Sequence, residues 1–186
     1  MIGACIPSLC PNHLSRHFKS FRLQNTSIGV NTPLDGAECI ATGSNCLGDN
    51  HDTNYIHSTR QPLAASDAFV FVGTNCVQNS KCTYSNVGFY KGKLTSTPLS
   101  IDDRKFNGSA SYYAPSLSAV DAARFFAFAV ARDCGANPFC LTLNTDVVPL
   151  SENWFAIYRT YLEPKTKTGP LVSELVLPKL MHFSTV

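Results

Sequence analysis

Oxygen-bearing side chains alternate near residue 52, in the densest polar stretch of the chain. Asn50, Asp52 and Asn54 have the alternate spacing with which a calcium-binding loop begins. The glycine and the distal glutamate that complete an EF-hand are missing, and the two histidines of the stretch are too far apart for a helical zinc pair. The stretch is a calcium candidate with few carboxylates, and a solvated loop of Asx turns is the alternative.

Two neighbouring carboxylates, Asp102 and Asp103, are the nearest approach to an acid–base pair. Glycosidases hold two carboxyl groups about 5–9 Å apart, whereas adjacent residues of a strand point to opposite faces. The chain has neither a Gly-x-Ser-x-Gly nucleophile motif nor a glycine-rich phosphate loop. The sequence therefore predicts no catalytic residue and no cofactor, although a hydrolase built from dispersed carboxylates stays open.

The eight cysteines fall into four close clusters of two, separated by much longer stretches. Structural zinc sites usually use Cys-x2–4-Cys pairs, and no Cys-x-x-Cys occurs here, so disulfides are favoured over zinc or free thiols. Sequence alone cannot choose among the possible pairings, but bonds within each cluster are the natural choice. Each would contribute about 2 kcal/mol in the chain-entropy model. The predicted bonds are Cys5–Cys10, Cys39–Cys46, Cys76–Cys82 and Cys134–Cys140.

Disulfides imply an oxidising location: the extracellular space, the cell surface or an organelle lumen. Two sequons agree with this, and they make Asn25 and Asn107 possible glycosylation sites. Residues 1–5 carry neither the basic nor the apolar region of a secretory signal, so secretion would require a signal removed before residue 1. An intracellular protein with eight reduced thiols is the alternative.

The composition separates the chain from several function classes. Its 186 residues are 44% hydrophobic and only 15% charged, and the net charge is +2. Such a chain can bury a core, and it lacks the strong positive charge of a nucleic-acid binder. No apolar run reaches the length of about 18 residues that a membrane-spanning helix needs. We expect no nucleic-acid partner and no membrane span.

The first third of the chain differs from the rest. Residues 1–60 are rich in Asn, Ser, Gly, Pro and Cys, and predict an irregular, disulfide-clipped arm with room for two short strands. Residues 61–186 carry β-branched and aromatic runs that predict a β-sandwich or jelly-roll-like domain. The fold class is therefore mainly β. The predicted strands are 68–72, 85–95, 110–113, 154–162 and 171–177.

Residues 119–133 could form a helix or a strand. Ser118 and Asp121 resemble a capping box, Gly135 could end a helix, and the many alanines favour one. As a strand, the same segment would place Phe126 and Phe128 on one face. The strand is the preferred interpretation.

Aromatic residues and one arginine are the candidate ligand-binding residues. Aromatic rings could stack on sugar rings, and an arginine could bind a carboxylate or a phosphate. Packing in the core is the alternative for the rings. Three arginines lie on otherwise apolar segments, Arg124, Arg132 and Arg159. One that entered the core would need a partner such as Asp121 or Asp133. The candidates are Tyr112, Tyr113, Trp154, Tyr158 and Arg159.

Part of the chain resembles a loosely defined group of microbial secreted proteins that has no established activity. The resemblance covers about residues 105–183. It rests on an Arg-aromatic segment at 123–128, an Asn-Pro loop at 137–139, a Tyr-Arg strand at 154–164 and Leu-Pro at 177–178. It implies a β-sandwich or jelly-roll-like fold and no particular activity.

These observations predict a non-catalytic secreted or lumenal protein with a structural or interaction role. Its clipped loops, low charge and missing catalytic motif suit a protein that self-assembles or forms a subunit of a larger extracellular complex. Two alternatives remain: a carbohydrate-binding module that uses exposed aromatic rings, and the secreted hydrolase with dispersed carboxylates.

Overall fold

A computed structural model describes residues 21–26, 52–91 and 99–185, with the backbone alone for residues 21–26 and 184–185. Strands dominate this part of the chain, and its helices are short. The strands are β1 Phe21–Thr26, β2 Thr53–His57, β3 Ala68–Thr74, β4 Tyr84–Lys91, β5 Leu99–Asp102, β6 Phe125–Ala131, β7 Cys140–Thr142, β8 Trp154–Tyr161 and β9 Lys179–Thr185. The helices are α1 Asp103–Phe106, α2 Ser109–Tyr113, α3 Ala119–Arg124 and a 3-10 turn, Val172–Glu174.

The strands form two sheets. The first has the order β1-β9-β3-β6-β7 and the second the order β2-β8-β4-β5. Neighbouring strands are antiparallel, except that β7 pairs with β6 in parallel. The predicted mainly β fold is confirmed, with the two sheets packed as a sandwich. No helix in the described part of the chain is long and apolar enough to cross a bilayer.

Aromatic side chains from both sheets fill the space between them. Phe69 of β3 contacts Trp154 of β8 edge-on, with ring centroids 5.0 Å apart. Phe71 of β3 meets Phe89 of β4 in the same manner at 6.2 Å. Because side chains alternate along a strand, this core takes every second residue of each strand.

The outer face of the first sheet is also covered. Val70 and Ala129 point away from the inter-sheet core and pack against Tyr113 of α2. The Tyr113 hydroxyl donates a hydrogen bond to the carbonyl of Phe139, 3.0 Å away, which fixes the helix to the loop before β7. Strands β3 and β6 are therefore buried on both faces, as the continuous apolar run at 68–72 predicts.

Residues 119–133 contain both of the predicted structures in succession. The Ser118 hydroxyl accepts a hydrogen bond from the Asp121 amide and donates one to the Asp121 carboxylate, at 3.1 and 2.7 Å. This cap starts α3, which ends at Arg124 where the chain enters the sheet. Phe126 and Phe128 then face the core, as the strand interpretation predicts. Gly135 does not end a helix; it has a positive φ of 53° in the turn after β6.

Three predicted elements differ from the structure. Residues 110–113 belong to α2 rather than to a strand, because the amides of Tyr112 and Ala114 donate to the carbonyls of Gly108 and Ala110 and close helical turns. Residues 171–177 hold only the 3-10 turn, and the strand, β9, follows at Lys179. Strands β1 and β2 lie in the stretch predicted as an arm, yet both belong to the sandwich; residues 1–20 and 27–51 lie outside the described residues.

Two of the four predicted disulfides lie in the described part of the chain, and both form as expected. Cys76 bonds Cys82, and Cys134 bonds Cys140; each closes a turn between elements of the sandwich. Cys5, Cys10, Cys39 and Cys46 lie outside the described residues. Their predicted pairing stays a prediction.

Adjacent phenylalanines of β6 provide a test of the sandwich register. Phe126 is fully buried between the sheets, whereas Phe125 is 41% exposed. We expect Phe126→Ala to lower the free energy of unfolding by about 3–5 kcal/mol, because it opens a cavity. Phe125→Ala should cost less than about 1 kcal/mol. Denaturant unfolding of both variants measures this, and the reverse order would show that the strand is displaced by one residue.

Peptide mapping without reductant tests the disulfide pattern. We expect four separate linked peptides, each holding the two cysteines of one cluster, because short closures form most readily between neighbours. Reduced and alkylated protein is the control. A bond between cysteines of different clusters would contradict the predicted pattern.

Candidate interaction surfaces

One end of the sandwich is organised around the loop between β3 and β4, residues 75–83. The Cys76–Cys82 disulfide closes this loop. The Asn75 amide donates to the Arg124 carbonyl at 2.8 Å, and the Asn79 side chain donates to the same carbonyl at 3.1 Å. The loop is thereby fixed to the junction of α3 and β6.

The same loop also holds the chain that precedes β9. Lys81 lies 2.8 Å from the Glu174 carboxylate and 3.6 Å from that of Glu163. The hydrogen bond to Glu174 raises the pKa of Lys81. The Thr74 hydroxyl donates to the Val176 carbonyl at 3.4 Å. We call this end of the molecule, formed by residues 75–83, 119–125 and 171–176, the loop end.

Exposed apolar side chains are concentrated at the loop end. Phe125 pairs with Thr74 across the sheet, and the Thr74 hydroxyl donates to the backbone carbonyl of Val176, so Phe125 and Val176 lie at the same end of the sandwich. Single exposed apolar residues are ordinary, but a group on a rigid surface marks an interaction site. Six of the exposed large apolar side chains among the described residues lie in segments that form or adjoin this end: Tyr84, Leu117, Val120, Phe125, Leu171 and Val176. A seventh, Leu150, lies at the opposite end of the sandwich.

A second surface lies on the outer face of the second sheet. Cross-strand pairing puts Tyr84 beside Tyr161, and Asn86 beside Arg159, which in turn pairs with Tyr55. The rings of Tyr84 and Tyr161 are 5.3 Å apart, and the Asn86 amide donates to the Tyr84 hydroxyl at 3.2 Å. We call Tyr55, Tyr84, Asn86, Arg159 and Tyr161 the tyrosine–arginine face.

Arg159 is the centre of this face. Its guanidinium lies 5.2 Å from the ring centroid of Tyr55 and 5.6 Å from that of Tyr90. It donates hydrogen bonds to the Tyr90 hydroxyl and, at 3.5 Å, to the side-chain oxygen of Asn86. No carboxylate of the described residues forms an ion pair with it. A positive charge is therefore held in place by rings and neutral oxygens.

Gly88 makes this arrangement possible. A Cβ at residue 88 would lie 2.9 Å from the Tyr90 ring and 3.3 Å from the Arg159 guanidinium. The absence of a side chain lets both groups cross the strand at that point. Further along the same face, Tyr90, Phe155 and Ile157 are buried.

The other predicted ligand-binding residues are not on a common surface. Trp154 and Tyr158 are buried between the sheets, and Tyr113 is buried against the outer face of the first sheet. Tyr112 is half-buried against Tyr113 and Phe139. These four residues do not form the expected stacking platform. Of the five candidates, Arg159 lies on a face that also carries partly exposed tyrosines.

Arg132 does not pair with Asp121 or Asp133, contrary to expectation. Its guanidinium donates to the Leu63 carbonyl at 2.7 and 2.9 Å and to the Leu143 carbonyl at 3.0 Å; it also bonds the carbonyls of Asn144 and Val148. Burial lowers the pKa of this guanidinium. Arg132 thus satisfies backbone acceptors at the end of the sandwich opposite the loop end.

The predicted acidic pair does not converge. Asp102 caps α1 by accepting from the Lys105 amide at 3.3 Å, while Asp103 accepts from the Ser85 amide at 3.3 Å. A buried histidine–carboxylate pair exists elsewhere, with His182 Nε2 3.3 Å from an Asp67 oxygen and the imidazole stacked on Phe69. No hydroxyl nucleophile among the described residues hydrogen-bonds either group, so this pair has the surroundings of a core contact.

The remaining predicted sites have structural surroundings. Asn54 is buried, and its amide donates to the Pro170 carbonyl, while Asp52 is exposed; Asn50 lies outside the described residues. The described residues contain no group of three possible metal ligands. Asn107 is exposed after α1. Asn25 lies in β1, where only the backbone is described.

A cavity of about 360 Å³ lies beside α1. Its wall includes Phe128 and Phe139, and Arg104, Lys105 and Asn107 border it. The two charged side chains that border it, Arg104 and Lys105, are exposed to solvent.

Comparisons with known proteins give no match. No family model, no curated protein and no solved structure matches this chain.

Sequence reasoning did not single out Tyr55, Tyr84 or Asn86. The signal was present as alternation, because Tyr84 and Asn86 are two residues apart, as are Arg159 and Tyr161. Alternation places each pair on one face, but the pairing of the three strands is needed to bring them together.

Alkaline titration tests the burial of two tyrosines. Burial raises the pKa values of both Tyr113 and Tyr158 to about 12. Because an unfolded tyrosine ionises near pH 10, roughly its reference value, their contribution to stability is complete below that pH and is lost as the pH rises towards about 12. Burial also raises the pKa of Tyr161. Ultraviolet titration should show Tyr113 and Tyr158 ionising last, as near-UV circular dichroism is lost.

Single substitutions assign the late class. Tyr158→Phe and Tyr113→Phe should each remove one of the phenols that ionise last. Tyr84 is exposed, so Tyr84→Phe should leave both of those phenols in place. Ionisation of all tyrosines in one step in the folded protein would contradict the burial of these two phenols.

Proposed function

We propose that this protein is a non-catalytic interaction protein that assembles with further copies of itself through the loop end. The observation that carries the proposal is the group of exposed apolar side chains held around the Cys76–Cys82 loop. Val120, Phe125 and Val176 supply the apolar contact. Scaffold-fixed loops lose little conformational entropy on binding, which favours association.

The absence of convergent chemistry supports a binding role over catalysis. Asp102 and Asp103 serve as a helix cap and a backbone acceptor, and Arg132 is occupied by carbonyl oxygens. In the described part of the chain, these groups hold the fold rather than face a common cleft. The geometry supports the hydrolase alternative least.

An oxidising location fits the same residues. Two short disulfides tie turns of the sandwich, and such bonds persist outside the reducing cytosol. Asn107 is exposed, as a glycosylated asparagine must be. We propose an extracellular, cell-surface or lumenal protein with a glycan at Asn107.

A second copy is the partner that the charges favour. Asp121 and Arg124 are both exposed on α3, and both lie between Val120 and Phe125 in the sequence. In a two-fold dimer, each residue type can meet its opposite on the other copy. The low net charge of +2 adds little repulsion between copies.

Matched substitutions at the two ends of the molecule test this assembly. Val176 and Leu150 are 67% and 65% exposed, but only Val176 lies at the loop end. We expect Val176→Ser and Phe125→Ser to weaken association at least about tenfold, because each removes apolar contact area. Leu150→Ser should leave it unchanged.

Native mass spectrometry and sedimentation of the full disulfide-intact chain across a concentration series measure the association. A monomer at all concentrations, or an equal effect of Leu150→Ser, would contradict assembly through the loop end. Thermal unfolding of each variant confirms that the loss is not due to unfolding.

A further inference from the structure

We infer that the tyrosine–arginine face binds an acidic oligosaccharide, one whose sugar rings carry carboxylates. Tyr84 adjoins the loop end, but the residues proposed for self-assembly, Val120, Phe125 and Val176, are not part of this face, so either function can fail without the other. Three features of the face favour such a ligand: its shape, the state of Arg159 and the hydrogen-bonding groups around that guanidinium.

The face is an extended surface made by three adjacent strands, β2, β8 and β4. Tyr55, Tyr84 and Tyr161 lie on it at neighbouring positions of the pairing register, and Tyr84 is 38% exposed. Exposed tyrosine rings on a pleated surface offer flat apolar area with polar edges. Sugar rings have the complementary form, since each has an apolar side and a polar rim.

The condition of Arg159 defines the charge of the ligand. A guanidinium has five N–H donors. In Arg159, one hydrogen bond goes to the Tyr90 hydroxyl and one to the Asn86 side chain. No described carboxylate neutralises it. A guanidinium in this state is suited to a planar carboxylate, which it can bind through two parallel hydrogen bonds.

The surroundings fix the guanidinium before a ligand arrives. The rings of Tyr55 and Tyr90 lie within 6 Å of it, and Gly88 leaves the space in which it crosses the strand. A side chain held in place loses little rotamer freedom on binding. Asn86 and the tyrosine hydroxyls then supply hydrogen bonds for the sugar hydroxyls, with Asn86 already oriented by Tyr84.

The role of the ligand's carboxylates can be tested by comparing an acidic oligosaccharide with its uncharged ester. Titration calorimetry of the full oxidised chain with tetragalacturonate should give binding, and its fully methyl-esterified form should bind at least about tenfold more weakly, because the ester removes the charged hydrogen bond to Arg159. Equal binding of both forms would overturn the role of the carboxylate. Binding of neither form would overturn the proposal.

Variants locate the site. Arg159→Gln should weaken tetragalacturonate binding at least about tenfold, and should remove the difference between the acid and its ester. Arg104→Gln, an exposed arginine on α1, is the matched control and should bind as the wild type does. If Arg104→Gln loses binding and Arg159→Gln keeps it, the site is elsewhere and the proposal fails.

A second variant keeps the test decisive if Arg159→Gln unfolds. Tyr84 is exposed, so Tyr84→Ala should fold, as circular dichroism can verify, and should weaken binding several-fold through loss of the ring. Tyr84→Phe retains the ring and should bind close to wild type. Wild-type affinity in Tyr84→Ala would overturn the assignment of this face.

Discussion

The side-chain register of β8 is the constraint on which both layers of the sandwich depend. Trp154, Ala156 and Tyr158 enter the inter-sheet core, while Ile157 and Arg159 point to the other face. A displacement of one residue would place a guanidinium in the core and an indole outside, since successive residues alternate in direction. The strand is paired on both sides, by β2 and β4, so this register also sets the arrangement of Tyr55 and Asn86.

How much of this fold could be predicted depended on whether its signals were local. The apolar run of β3 and the alternation of β8 are carried by adjacent residues, and both strands were predicted. The α3 cap was local as well, since Ser118 and Asp121 are three residues apart. Strand β9 was missed because its faces are mixed: buried Leu180 and half-buried Met181 pack on opposite sides of the sheet, so no simple alternation of apolar and polar residues marks it.

The surfaces were harder to predict than the fold because they depend on residues far apart in the chain. Lys81 forms an ion pair with Glu174, which lies 93 residues further along the chain. Trp154 was a reasonable ligand candidate by residue type, but its burial follows from the facing sheet, which the strand alone does not reveal. Arg159 was found from its unusual position on an apolar segment, while its tyrosine neighbours required the strand pairing.

The sequon at Asn107 carries a consequence for the order of events during synthesis. Asn107 is exposed, but Ser109, whose hydroxyl completes the sequon, is fully buried. That hydroxyl donates to the Phe106 carbonyl and accepts from the Ala127 amide, at 2.6 and 3.1 Å. Strand β6 therefore helps to enclose this hydroxyl in the folded protein. The proposed glycan at Asn107 would have to be attached before β6 docks, and slower docking of that strand would favour its attachment.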